Sequence, residues 1–358
     1  MGGVEKRTLR LIKAILDNNS NISIDLMLNQ KKGELLNSAD DRVALYSIGF
    51  RNTNFLSSFI RLKKLINNTA PDIIVAGLGQ LSIITVIAKL IFKFKSKIIL
   101  IQALPIYLAN ASLQVNIKRI LGARIFYLHL DKIVTVSKGV ESSVNEISGK
   151  LNKKTVTIYN PVIEPDILSK ADEENHHPFF NNNVQVIISV GRLTKEKDHE
   201  TLIKAFALVK KDISREVKLI ILGDGDKRPS LEKLIHKLSL TEDVSLPGFA
   251  DNPYSYMKRS SVFVLSSLWE GFGNVLVEAM ALGVPVVSTN CESGPDEILE
   301  NGKIGELVLV RDEVAMSKAI IKQLKAPDKP EILIKRASDF TVEKAAAEYI
   351  RVFSSLSL

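Results

Sequence analysis

This sequence lacks most of the residues and patterns that would announce a particular chemistry. It has one cysteine, Cys291, so no internal disulfide framework can form and no Cys/His group has the spacing of a zinc site. Cys291 stands just before a Ser-Gly-Pro turn and reads as a packing thiol. The adjacent His176 and His177 lie in a polar tract with neither Cys nor carboxylate at ligand spacing, so they are not read as a metal pair. Met1 is followed directly by GGVEKRT with no apolar h-region, which argues against a signal peptide and makes a cytoplasmic location the expectation. The most membrane-like run, Leu81 to Ile101, holds Lys89, Lys93, Lys95 and Lys97 and divides into a helix and a strand better than it spans. No aromatic-rich basic motif accompanies the positive charge, so nucleic acid is not an expected partner.

What remains is a globular composition, 46% hydrophobic and 25% charged. At 358 residues it is long enough for two domains. The net charge of +8 is uneven: residues 1–165 hold 23 Lys and Arg against 11 Asp and Glu. A basic first half of this kind suits an anionic lipid surface, peripherally on the inner face of a membrane, or a pyrophosphate-linked acceptor. A solvated Lys-rich surface explains the charge equally well.

Strands and helices alternate along the chain, which argues for parallel sheets covered on both faces. In the first half, strands are expected at Ile22–Leu28, Val43–Ile48, Asp72–Ala76, Lys97–Gln102, Lys132–Val136 and Val156–Tyr159. Helices are expected over the amphipathic opening after the glycines and at Phe55–Ile66, Leu81–Phe92, Ile117–Leu130 and Val140–Ile147. Proline, charge and asparagine then cluster from Pro161 through KADEENHHPFFNNN, marking a linker. The boundary near Pro161 gives domains 1–161 and 162–340, with a terminal helix in 341–358 crossing back to the first. In the second half, strands are expected at Val184–Val190, Lys218–Leu222, Val244–Leu246 and Gly305–Val308, and helices at Ser317–Leu324 and Lys335–Phe353.

The most informative stretch runs from Ser261 to Leu299. SVFVLSS is an apolar strand, Gly271 and Gly273 break it, NVLVEAMAL has helical spacing, and GVPVVST is a second strand. Glu270 falls at the carboxyl end of the first strand, where ligands bind in open α/β sheets. Glu278 follows eight residues later among Val275, Leu276, Val277, Ala279 and Met280, an unusual place for a merely solvated charge. Gly271-Phe272-Gly273-Asn274 would offer backbone N–H groups at a helix start to a phosphorylated ligand, while a carboxylate accepts hydrogen bonds from sugar or ribose hydroxyls. Upstream, the strand ending at Val190 leads into Gly191-Arg192-Leu193-Thr194-Lys195-Glu196-Lys197, which sets two cations on one loop. Arg grips phosphate with a fork and Lys adds a point charge.

E-G-F-G-N-V-L-V-E-A-M-A-L-G-V-P-V-V-S-T resembles the E-x7-E region of the retaining glycosyltransferases of family 4. Several elements of that family recur in order from Val190 to Val308. The resemblance implies the glycosyltransferase B fold: two Rossmann-like domains with parallel sheets facing across a cleft. It implies a hexose-type sugar moved from a nucleotide-diphosphate donor, with retention, to a saccharide or polyprenyl-linked acceptor in surface polysaccharide or lipopolysaccharide synthesis. Arg192 and Lys197 match the residues that hold the diphosphate, with Gly191 beside them. Glu270 would orient the donor sugar and Glu278 would accept from the ribose. Gly271, Phe272, Gly273, Asn274 and Val275 would complete the donor site, with Phe249 beside the base.

On the acceptor side the resemblance points to Gly2 and Gly3. Gln102 stands where many relatives have a histidine. A strand ten or so residues before the glycines, central in the family's first domain, has no counterpart. No cofactor is expected beyond the donor substrate, and no metal, because the one D-x-D spacing, Asp224 and Asp226, lies on a Gly-Asp-Gly turn. Two other readings fit the same residues. A nucleotide-sugar epimerase of this architecture would convert donor without acceptor, and a non-catalytic nucleotide-sugar-binding protein would bind donor without transfer.

Overall fold

The computed structural model describes residues 3–28, 38–47, 49, 55–77, 80–105, 122–123, 125–148, 154–180 and 184–357. The chain divides into two compact units, Met1–Pro161 with Val342–Leu358, and Val162–Thr341.

In the first unit the described elements are α1 (Gly3–Asn18), β1 (Asp25–Leu28), β2 (Ala44–Ser47), α2 (Phe55–Thr69), β3 (Ile73–Ala76), α3 (Gln80–Phe92), β4 (Lys97–Gln102), β5 (Lys132–Thr135), α4 (Lys138–Ser148) and β6 (Thr155–Thr157). Residues 125–128 are helical as well, while the start of the expected 117–130 helix lies outside the described residues. All strand pairs are parallel. Alternate residues of β4 and β5 face opposite layers, as a period of two requires. Ile99 and Val134 pack with Ile15 of α1 and with Ala346 and Tyr349 of the C-terminal helix Val342–Leu356. Ile98, Leu100 and Ile133 pack with Val86 of α3 and Val144 of α4. The C-terminal helix therefore completes the core of the first unit.

The strands of this unit form two sheets, β1-β2 and β3-β4-β5-β6. Their side chains nevertheless share layers: Met27 of β1 and Ile74 of β3 both pack against the cluster of Phe59, Leu62 and Ile84. Among the described residues no hydrogen-bonded ladder joins β1 to β3, and Val75 of β3 is 42% exposed.

The second unit carries α5 (Ile167–Asp172), β7 (Gln185–Val190), α6 (His199–Asp212), β8 (Val217–Leu222), α7 (Arg228–Lys237), β9 (Val244–Gly248), α8 (Tyr254–Lys258), β10 (Val262–Leu265), α9 (Asn274–Ala281), β11 (Val286–Thr289), α10 (Pro295–Ile298), β12 (Glu306–Val308), α11 (Glu313–Lys325) and α12 (Pro330–Ala337). Its six strands form one parallel sheet ordered β12-β11-β10-β7-β8-β9. Successive strands run outward from β7 to β9, then the chain crosses back to β10 and runs outward the other way. The strand order reverses between β7 and β10, which makes the carboxyl ends of those two strands the switch point. Leu202, Phe206 and Val209 of α6 close one face on Ile187, Leu219 and Ile221.

Two expectations need correction. The tract after Pro161 is not only linker. It contains α5, and His177 is held by Ser245 Oγ at 3.0 Å and by edge contacts with Phe179, Phe180 and Tyr256. The helix expected over Lys335–Phe353 is two helices separated by a 3-10 turn at Ser338–Phe340 and an extended Thr341. Burial of Phe340 breaks it: its ring meets Phe272 with centroids 5.2 Å apart and carries the Arg336 guanidinium 4.8 Å above it.

Candidate functional site

At the switch point the loop after β7 meets the loop after β10. Lys197 ends a 3-10 turn, Lys195–Lys197, and its Nζ donates to Glu270 Oε1 at 2.5 Å. The two side chains retain only 18% and 13% of their exposure, so the ion pair is largely desolvated. Ser267 Oγ donates to the same carboxylate oxygen at 2.6 Å. Around them the backbone is fastened by buried hydroxyls. Ser266 Oγ donates to the Lys197 carbonyl at 2.8 Å, and Thr289 Oγ1, at the end of β11, donates to the Ser267 carbonyl at 2.6 Å. The Leu268 N–H donates to the Glu196 carbonyl, tying the two loops together a second time.

Two glycines set the loops at their depth. A Cβ on Gly223, whose φ is +132°, would lie 2.0 Å from the Gly191 carbonyl oxygen, so the Gly-Asp-Gly turn after β8 serves as a backing for the 191–197 loop. A Cβ on Gly294, at φ +105°, would lie 2.0 Å from the Phe272 carbonyl oxygen, so the turn before α10 backs the 270–274 loop. Glu270 itself is held by its N–H to the Glu292 carbonyl.

Arg192 lies on the same loop as Lys197 but faces outward, its side chain 75% exposed and paired with Glu196 at 2.9 Å. Asn274 opens α9 behind Gly273, which takes φ +99°, and Val275 follows in the first turn. Phe272 is buried, and Glu278 sits half-buried on α9 between the buried Val277 and Ala279. Phe249 follows β9, is 69% exposed, and lies on the rim of a cavity of about 290 Å³ that Glu173, His176, Asn252 and Tyr256 also line. No residue of the loops after β7 or β10 lines that cavity.

Asp198 is the N-cap residue of α6, but its carboxylate accepts from the Thr201 hydroxyl at 2.7 Å rather than from a backbone N–H. Next to it His199 is fully enclosed, and burial, with the nearby Lys197 ammonium, lowers its pKa to about 3. The ring is neutral at any working pH. Burial raises the Cys291 thiol to about 12, with the Glu270 charge adding to the effect, so it is inert as a nucleophile.

In the first unit Gly2 lies outside the described residues, and Gly3 is the first residue of α1. Gln102 is buried and engaged within the unit: its Nε2 donates to the Leu104 carbonyl at 2.6 Å and its Oε1 accepts from the Tyr127 hydroxyl at 2.9 Å. Among the described residues no group of three His, Cys, Asp or Glu is placed to hold a metal ion.

Residues 171–340 match the family described as glycosyl transferases group 1. The chain is 31% identical over 330 residues to an uncharacterized glycosyltransferase of Methanocaldococcus jannaschii, covering 81% of this chain and 80% of that one. The chain belongs to the group 1 glycosyltransferases.

A further relative is the N-acetylgalactosamine-N,N'-diacetylbacillosaminyl-diphospho-undecaprenol 4-alpha-N-acetylgalactosaminyltransferase of Campylobacter jejuni, 33% identical over 265 residues, 73% of this chain and 69% of that one. Among solved structures, Anabaena HepE in complex with UDP-glucose aligns with a TM-score of 0.77 at 20% identity, covering 99% of this chain and 96% of that one. The fold shared with such structures is the two-domain Rossmann-like architecture of the glycosyltransferases. The site's missed members were Ser266, Ser267, Thr289, Gly223 and Gly294. The Ser-Ser pair at the end of an apolar strand, three residues before Glu270, was the one local signal available.

Proposed function

We propose that this glycosyltransferase moves a hexose-type sugar, with retention, from a nucleotide-diphosphate donor to a lipid-linked saccharide in surface polysaccharide or lipopolysaccharide synthesis. The observation that carries the reading is the desolvated Lys197–Glu270 contact at the switch point of the second unit's sheet. A cation and a sugar-accepting carboxylate side by side are what a sugar pyrophosphate requires: one group for the phosphate, one for the sugar.

In the proposed reaction the bond between the sugar's anomeric carbon and the diphosphate oxygen breaks, and the acceptor hydroxyl oxygen bonds to that carbon on the same face. The acceptor proton passes to the departing phosphate oxygen. Lys197 and Arg192 stabilise the charge that develops there, the latter by exchanging Glu196 for phosphate, and the N-terminal end of α9 at Asn274 adds its dipole. Glu270 orients the sugar and Glu278 accepts from the ribose. No metal takes part, so transfer is expected to be unaffected by EDTA.

The test is thermal stabilisation by UDP, GDP, ADP and their common sugars, for wild type, Arg192→Ala and Glu278→Ala. One nucleotide family is expected to raise Tm, and both variants to lose the shift. No shift with any nucleotide from a folded wild type refutes the reading.

The acceptor proposal draws on the Campylobacter relative, whose name specifies a diphospho-undecaprenol acceptor. It also draws on the outer layer of the first unit. Residues 55–105 hold seven Lys and Arg against the single acidic Asp72. On the helices of that layer Ile60, Ile83, Leu90, Ile91, Ile125 and Leu128 are exposed. Such a surface suits the anionic lipid face on which a polyprenyl-linked acceptor lies. No described helix is long and apolar enough to cross a membrane. Cosedimentation with vesicles containing phosphatidylglycerol, but not with phosphatidylcholine alone, is the expected result. Transfer to free sugars but never to polyprenyl-linked ones would refute the acceptor.

A further inference from the structure

Glu270 Oε1 accepts two hydrogen bonds, one from Lys197 Nζ at 2.5 Å and one from Ser267 Oγ at 2.6 Å. The proposed function gives these donors different fates. A diphosphate entering the switch point draws the Lys197 ammonium toward itself, because a charged phosphate oxygen competes with the carboxylate for the same N–H groups. A carboxylate that loses its only partner in a largely desolvated site is left uncompensated and turns toward solvent, away from a sugar hydroxyl.

Ser267 removes the difficulty. It is fully buried at the end of β10, and its backbone is held by Thr289 through the carbonyl. The hydroxyl is close enough to Glu270 to donate and carries no charge that a phosphate would attract. We propose that Ser267 is a positioning residue that holds Glu270 Oε1 when Lys197 transfers to the donor diphosphate, leaving Oε2 to accept a hydroxyl of the donor sugar. This inference rests on the donor site as read above and adds to it a division of labour: Lys197 reads the diphosphate, and Ser267 acts on the sugar through Glu270 alone.

That division has a signature that a general structural role lacks. Removing the hydroxyl alters recognition of the sugar and leaves recognition of the nucleotide diphosphate untouched. Affinities for UDP and UDP-glucose are measured by calorimetry for wild type, Ser267→Ala, Glu270→Gln and the double variant, with GDP and GDP-mannose run in parallel to find the base. Ser267→Thr, which keeps the hydroxyl, serves as the rescue. In Ser267→Ala the affinity for the bare diphosphate is expected to stay within about twofold of wild type. The affinity for the sugar nucleotide is expected to fall about tenfold or more, in line with the loss of one hydrogen bond to a charged group. Ser267→Thr is expected to recover most of it. In the Glu270→Gln background, Ser267→Ala is expected to add less than about twofold, because the two residues act as one unit.

Three results would overturn the proposal: equal losses for diphosphate and sugar nucleotide, multiplicative losses in the double variant, or an unchanged Ser267→Ala. If Glu270→Gln itself binds sugar nucleotide as wild type does, or if wild type binds neither diphosphate, the donor-site reading falls and the proposal falls with it. A loss confined to Glu270→Gln, with Ser267→Ala silent, removes the proposal and leaves the reading intact.

Discussion

The Lys197–Glu270 pair makes a quantitative demand on stability before any ligand is added. Lys197→Met keeps the aliphatic stem beside Gly191, where a Cβ would meet the Lys197 methylenes at 3.5 Å, and deletes only the charge. Removing one partner of a fully buried ion pair costs about 3–5 kcal/mol, because the other charge is left without compensation. Here both groups keep some solvent access, and Ser267 still donates to Glu270, so the expected cost is about 2 kcal/mol. For a unit of this size that lowers Tm by roughly 4–8 °C. Glu270→Gln leaves the longer and more flexible Lys197, whose ammonium can turn toward water, and should cost about 1 kcal/mol or less. The double variant removes both charges together, and its loss should be smaller than the sum of the singles by about 1 kcal/mol or more. Melts followed by circular dichroism on the four proteins complete the cycle. Single variants within about 0.5 kcal/mol of wild type and an additive double would show that the contact is a solvated surface pair and would refute its role as the centre of the site.

Other features give independent checks. His199 is neutral in the fold with a pKa of about 3 but protonates near 6.5 when unfolded, so acid favours the unfolded chain across that window. Wild type should lose up to about 1.4 kcal/mol per pH unit relative to His199→Leu as pH falls from 6.5 toward 3, read as the difference between their pH–Tm curves. Cys291 should react with a disulfide reagent only after denaturation, since burial holds its thiol at about 12; rapid reaction of the native protein would contradict the packing. In the first unit, alternate amides of Ile73–Ala76 face the side of β3 on which no ladder forms among the described residues, whereas β4 is paired on both sides. Hydrogen exchange should be faster by about 100-fold or more at those β3 amides than in β4, and equal protection would mean that the sheet is continuous.

The second unit was legible in the sequence where its information is local. Buried parallel strands are short apolar runs ended by glycine or small polar residues, as in VIISVG, LIILGDG and VFVLSS. Glu270 and Lys197 were recognisable as polar residues at strand ends. That they touch was not, because 73 residues separate them and only the return crossover to β10 brings them together. Ser266, Thr289 and Gly223 were missed for a related reason: each acts on a backbone group from a distant stretch, whereas Ser267, three residues before Glu270, was the one with a local signal. Helix α7 was overlooked although Leu231, Leu234, Ile235 and Leu238 recur at helical spacing and pack on the core, because charged residues separate them. The break at Phe340 escaped notice because a phenylalanine continues a helical pattern until the core beside it, here Phe272, draws it out of line.

The split sheet of the first unit bears on function through where the candidate residues lie. Every donor-side candidate, from Gly191 to Glu278, belongs to the unit with an unbroken six-stranded sheet. The acceptor-side candidates Gly2, Gly3 and Gln102 belong to the unit whose strands fall into two sheets, and the Gln102 amide is already engaged by Leu104 and Tyr127. On the proposed reading, donor and acceptor binding therefore draw on different parts of the chain. Nucleotide-induced stabilisation reports on the second unit and is expected whether or not the ladder between β1 and β3 closes. A chain that binds sugar nucleotide with wild-type sensitivity to Glu270→Gln, yet transfers nothing, would show that transfer depends on residues beyond the second unit's donor candidates.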